Sequence, residues 1–193
     1  MSSREFILNR IKQNTKKKNP MPHLGKINPI VFENRVEMFC NTIEMVGGKY
    51  HLLSEGESVD DVIKTIFPEA NKIASTLADV KSANINPDQY DLPVELNGID
   101  VAIVNGAYGV AENAAIWLPK DVKHKALYFI SEALVIVIDR NKLVDTMHDA
   151  YREFENEKFD FGIFISGPSK TADIEQALVF GAHGARELLV ILK

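Results

Sequence analysis

Four uninterrupted apolar runs, at residues 101–104, 133–138, 161–165 and 188–192, mark the second half of the chain. A strand with one wet face alternates apolar and polar residues. A run without alternation buries both faces, as a parallel sheet covered on each side requires. The intervals between the runs have room for helices. Val144, Met147, Tyr151 and Phe154 share one helix face between the second and third runs. Ile174, Ala177 and Leu178 do so between the third and fourth, with Gly181 as the stop. Strand, helix, strand, helix, strand predicts an α/β domain, a mostly parallel sheet covered by helices with right-handed crossovers.

The first third reads as helical. Ile7, Leu8 and Ile11 give a short amphipathic segment ahead of a polar stretch and the prolines at 20 and 22. Residues 1–30 are therefore expected to form a helical arm and linker, and 31–193 a single domain. Phe32, Val36, Phe39, Cys40 and Ile43 fall at i, i+4, i+7, i+8 and i+11, one stripe of a helix that Gly47-Gly48 terminates. Cys40 inside that stripe reads as a small buried hydrophobe. Residues 50–53 and 72–76 are strand candidates, and Ser58 caps a helix carrying Val59, Val62, Ile63 and Ile66, stopped by Pro68. Residues 79–98 show no periodicity.

Composition narrows the function. At 193 residues there is room for one well-cored domain, and the net charge of −5 argues against nucleic-acid binding, which calls for a basic surface. The one basic run, Lys16-Lys17-Lys18, complements the end of the first helix. No apolar stretch reaches spanning length and no signal-peptide core follows the first residues, so a cytoplasmic chain without membrane insertion is expected. A single cysteine leaves no internal disulfide, thiolate zinc site or iron–sulfur cluster. The histidines at 23, 51, 124 and 148 lack partners at ligand spacing, so no protein-bound metal is expected.

Ligands of open α/β sheets bind beyond the carboxyl ends of the strands. Three loops are expected there: 105–113, 166–171 and the short 139–141. In the second, Gly167-Pro168 makes a tight turn and Ser169 or Thr171 caps a following helix that holds Asp173. A helix start of this kind favours a carboxylate or phosphate, to which Lys170 adds a charge; a merely capped helix with a solvated lysine is the alternative. In the first loop, Glu112 follows Gly109 and precedes an apolar stretch. It could act as nucleophile or general acid, or simply accept loop N–H groups. His183, Gly184 and Arg186 lie in a turn leading into the last strand, which topology puts at the opposite edge.

Ser166-Gly-Pro-Ser-Lys-Thr-Ala-Asp-Ile-Glu with Gly181-Ala-His-Gly-Ala-Arg-Glu-Leu resembles the C-terminal signature of the lactate-utilization protein C family, the LUD domain. Gly109-Val-Ala-Glu112 resembles that family's other motif. The likeness is specific from about Asp100 onward. It implies a fold similar to the CoA-transferase, ribose-5-phosphate isomerase and glucosamine-phosphate isomerase group, shared by the formyltetrahydrofolate cyclo-ligases. It also implies a role in bacterial oxidation of L-lactate beside two partner proteins, at least one carrying iron–sulfur clusters. There are departures: Asn113-Ala114-Ala115 stands where Thr-Gly-Thr is usual, Lys170 where arginine is, and Ala185 where proline is. The first removes two hydroxyls and the second a bidentate fork.

The leading expectation is a non-redox subunit or accessory protein of a lactate-utilization system, binding a small carboxylate or other anion and no cofactor of its own. The rivals are a free-standing acyl-transferase or cyclo-ligase-like enzyme using Glu112, and a scaffold that retains the fold without a site.

Overall fold

A computed structural model describes residues 2–15, 29–119, 121–153, 160–174, 177–181 and 183–193. In chain order the elements are α1 (Ser3–Asn14), α2 (Arg35–Met45), β1 (Lys49–Leu52), α3 (Val59–Ile66), β2 (Ile73–Ser75), β3 (Val101–Asn105), β4 (Tyr108–Val110), β5 (Ala115–Pro119), α4 (Leu127–Ile130), β6 (Ala133–Ile138), β7 (Leu143–Val144), α5 (Met147–Glu153), β8 (Gly162–Ile165), β9 (Lys170–Ile174), β10 (Ala177–Phe180) and β11 (Glu187–Leu192). Among the described residues, β1-β11-β6-β3-β2 form a parallel sheet, β7-β4-β5-β8 a second sheet, and β9-β10 a separate hairpin.

The parallel sheet is buried on both faces, as its continuous apolar runs require. Leu134, Ile136 and Ile138 of β6 enter one core with Phe39, Cys40 and Ile43 of α2; Ala133, Val135 and Val137 enter another with Val59, Val62 and Ile63 of α3. Each of the larger side chains contributes about 1.5–3 kcal/mol by leaving water. Helices alone do not cover the first face. Ile116 and Leu118 of β5 and Ile163 and Ile165 of β8 complete it, so the second sheet lies over the first. Its outer face is covered in turn by α5, through Val110, Trp117 and Ala150.

The third apolar run therefore pairs differently from expectation. Gly162–Ile165 lies antiparallel to β5, with Ile165 opposite Ile116, outside the parallel sheet. Its run is continuous because Ile163 and Ile165 face the inner core while Phe164 stacks on Trp117 and Tyr151 at 4.9 and 5.8 Å. Val144 belongs to β7, and the expected helix begins only at Met147; Phe154 lies outside the described residues. Residues 170–174 and 177–180, expected as a helix, are instead the paired strands β9 and β10, with Ile174 opposite Ala177 and Val179 opposite Thr171. An i, i+3 apolar pair fits a helix face and also the two ends of a two-residue hairpin turn. β-branched Thr171 and Val179, with Phe180, favour the strands.

Several expectations hold. α2 starts on Asn34, whose side chain accepts from Glu37 N, and Gly47 follows its end at φ +85. α3 is closed by a capping box between Ser58 and Asp61. Burial pushes the Cys40 thiol up to about 11, so it is an unreactive core group at neutral pH. α1, also expected, buries none of its residues.

One polar contact fixes α2 against the second sheet. The Asp145 carboxylate accepts from Arg35 Nε at 3.0 Å, Arg35 Nη2 at 2.8 Å and Phe32 N at 3.2 Å. The bonds from Arg35, above all, hold the Asp145 pKa below the usual carboxylate range. A lowered folded-state pKa contributes stability above the unfolded value and loses it as pH falls through the folded value. Because Arg35 is half-exposed, Asp145→Asn should cost about 1–2 kcal/mol at pH 7 in urea unfolding. The variant should also lose less further stability than the parent as pH drops below about 4.

Candidate functional site

The 166–170 loop leaves β8 and crosses the amino ends of β1 and β11. Gly167 adopts φ +72, and a Cβ there would sit 2.7 Å from the Val46 carbonyl oxygen, so only glycine lets the loop press onto the end of α2. The Ser166 hydroxyl donates to the Asn113 carbonyl at 2.6 Å. The Lys170 ammonium donates to the Val46 carbonyl, where it complements the negative end of the α2 dipole. Ser169 N donates to Ala185 O at 2.9 Å, and Gly181 N donates to Ser169 O at 3.0 Å.

Those two bonds correct the expected separation of the signature segments. His183 and Gly184 lie beside Ser169 instead of across the sheet; a Cβ on Gly184 would approach the Ser169 Cβ to 3.1 Å. Ser166, Gly167, Ser169, Lys170, His183 and Gly184 line one open cleft of about 310 Å³, together with Tyr128, Phe129, Leu134, Ile163, Ile165 and Leu188. Among the described residues, the Ser169 hydroxyl and the His183 ring have no hydrogen-bond partner. The cleft opens at the amino ends of the parallel strands because the loop belongs to the second sheet, where the carboxyl-end rule for a parallel sheet does not govern it.

Other expected site residues take structural places. No helix follows Ser169, so the expected anion site on a helix start is not formed; Thr171 and Asp173 lie on β9. Gly109 is buried in β4, where a Cβ would come within 2.5 Å of Leu143 Cδ2; its role is close packing. The Glu112 carboxylate accepts from Met147 N at 2.6 Å and so caps α5, the bland alternative foreseen for it. Arg186 lies outside the cleft, 3.8 Å from Glu132. The 139–141 loop does lie at the carboxyl end of the parallel sheet. There Arg140 donates to the carbonyls of Lys193 and Leu53 at 2.9 and 3.1 Å, joining three strand ends.

Sequence reasoning missed Tyr128 and Phe129. The Tyr128 hydroxyl lies 2.9 Å from Asp121 Oδ1 and 3.0 Å from Pro119 O, so only its ring serves the cleft. Burial, with the Asp121 carboxylate nearby, raises its pKa and keeps it a neutral phenol. The adjacent aromatics at 128 and 129 are the only sequence signal for this wall. Among the described residues no three His, Cys, Asp or Glu side chains are placed to hold a metal, and no helix is long and apolar enough to cross a membrane. A hydroxyl and an imidazole above an apolar floor can bind and orient a polar head group.

The fold defines an α/β protein whose parallel sheet is backed by a second sheet, with a cleft at their shared edge. The LUD domain model matches residues 77–192, and the chain belongs to the LUD domain family. An uncharacterised protein of Neisseria meningitidis serogroup B is 27% identical over 149 residues, 72% of this chain and 63% of that protein. A Bacillus pumilus protein described as lactate utilization protein C is 33% identical over 98 residues, 47% of this chain and 41% of its own length. The chain thus covers less than two thirds of either relative. The crystal structure of a DUF162 family protein from Deinococcus radiodurans superposes with a TM-score of 0.66 at 18% identity, covering 85% of this chain and 99% of that one; it shares the fold.

The capping role of Glu112 is testable. Glu112→Ala should lower stability by about 1 kcal/mol by removing a charge-assisted bond at a helix start, whereas Glu112→Gln, which keeps an acceptor, should lose less. Urea unfolding at pH 7 measures both, and equal losses would contradict the assignment.

Proposed function

We propose that this LUD-domain chain is a cytoplasmic, non-redox accessory component of a bacterial lactate-utilization system, and that it binds a small carboxylate or other anion in the cleft between the 166–170 loop and the 183–185 turn. One observation carries the reading. Two signature segments at either end of the β9-β10 hairpin meet through the Ser169–Ala185 bond, and the Ser169 hydroxyl and the His183 ring both line the cleft. Membership of the family and the likeness to the Bacillus pumilus lactate utilization protein C support the pathway. Iron–sulfur proteins of the same system are the proposed partners, since moving electrons from lactate needs a cofactor's chemistry. The rival enzyme reading is the less favoured one, since Glu112 Oε1 accepts from Met147 N and Glu112 is not among the residues that line the cleft.

Addition of lactate or pyruvate to isotopically labelled protein should shift the amide signals of Ser169, Lys170, His183 and Gly184 and leave those of α3 in place. Ser169→Ala should weaken the interaction about tenfold, the worth of one hydrogen bond to a charged group. Shifts confined to other parts of the molecule would overturn the site. Failure of the chain to associate with iron–sulfur proteins encoded beside it would overturn the pathway.

A further inference from the structure

We infer that the natural ligand of this cleft is a carboxylate carrying an apolar or aromatic tail, larger than lactate. The inference rests on the proposed anion-binding reading and concerns the other half of the ligand. The cleft is divided by chemistry. Its polar groups, Ser169, Lys170 and His183, all come from the 166–170 loop and the 183–185 turn. The opposite side is apolar. Leu134, Leu188 and the Tyr128 ring lie beneath it at most 2% exposed, so the surface a ligand meets on this side is that of Ile163, Ile165 and Phe129. Ile163 and Ile165 are partly exposed and Phe129 is 37% exposed. The Tyr128 hydroxyl is already engaged by Asp121 and Pro119, which removes the one polar atom this side could have offered.

Lactate brings a single methyl to such a surface. In a cleft of about 310 Å³, a head group and a methyl leave the exposed faces of Ile163, Ile165 and Phe129 against water. A tail of several carbons displaces that water, and each methylene buried should tighten binding roughly fourfold. A dicarboxylate is disfavoured, because its second charge would be desolvated against Ile163, Ile165 and Phe129 without a partner.

Calorimetric titration of the full chain with lactate, 2-hydroxybutanoate, 2-hydroxyhexanoate, 3-phenyllactate and malate tests this. The dissociation constant should fall roughly fourfold per added methylene, 3-phenyllactate should bind more tightly than lactate by tenfold or more, and malate should bind no better than lactate. Phe129→Ser, a change at a partly exposed position, should flatten the rise with tail length. Equal affinities along the series, or preference for malate, would overturn the inference while leaving a carboxylate site standing. Binding of none of these acids would overturn the underlying anion reading as well. Binding of 1-hexanol as tight as that of 2-hydroxyhexanoate would show that the head group contributes nothing, with the same consequence.

Discussion

Burial of both faces of the parallel sheet is the condition from which the rest of the molecule follows. All six residues of β6 are buried, three toward each side, so neither face tolerates water. α3 helps to cover one. On the other, α2 leaves apolar surface over β3 and β6, and β5 and β8 come back across it. Ile116 shows how close this approach is. A Cβ on Gly106 would fall 2.6 Å from its Cγ2 and 3.0 Å from the Cγ2 of Ile136. Once β8 is fixed there, the loop that leaves it must emerge at the amino ends of β1 and β11. The cleft is a consequence of the sheet-on-sheet arrangement.

The polar groups around the cleft divide into those that hold the loop and those that face outward. The Ser166 hydroxyl, the Lys170 ammonium and the backbone of Ser169 each bind protein: the Asn113, Val46 and Ala185 carbonyls and the Gly181 amide. This anchoring restricts the backbone freedom of the loop. Ser169 Oγ and the His183 ring take no part in this anchoring and line the cleft. The same contacts explain why Lys170 in place of the usual arginine is compatible with the fold, since a single ammonium suffices to reach one carbonyl at the end of α2.

Much of the architecture was legible because the signals were local. The stripe through Phe39 and Ile43, the Ser58 cap and the apolar stretch 133–138 each dictate an element regardless of what surrounds it. The misplacement of 161–165 has a general cause. Continuous apolarity reports burial on two faces, and a strand between an inner core and an outer helix satisfies that as fully as a parallel strand does. The 170–180 segment failed through ambiguity of period, because Ile174 and Ala177 fit either structure. The likeness to the family picked out both signature segments, but their meeting was not readable. Placing His183 across the sheet assumed that the 166–170 loop belonged to the parallel sheet, and pairing between distant strands leaves no mark in local sequence. Glu112 was open to two readings in the sequence, chemistry or an acceptor of backbone N–H groups, and its carboxylate does accept from Met147 N at the start of α5.

The 166–170 loop and the 183–185 turn form one cleft because the β9-β10 hairpin brings them together. Nuclear Overhauser contacts in solution test it directly. A cross-peak between Ser169 side-chain protons and the Gly184 α-protons, with cross-strand contacts between Thr171 and Val179, is the expected result. Sequential amide–amide contacts running through 171–180, the pattern of a helix, together with no contact between Ser169 and Gly184, would contradict it.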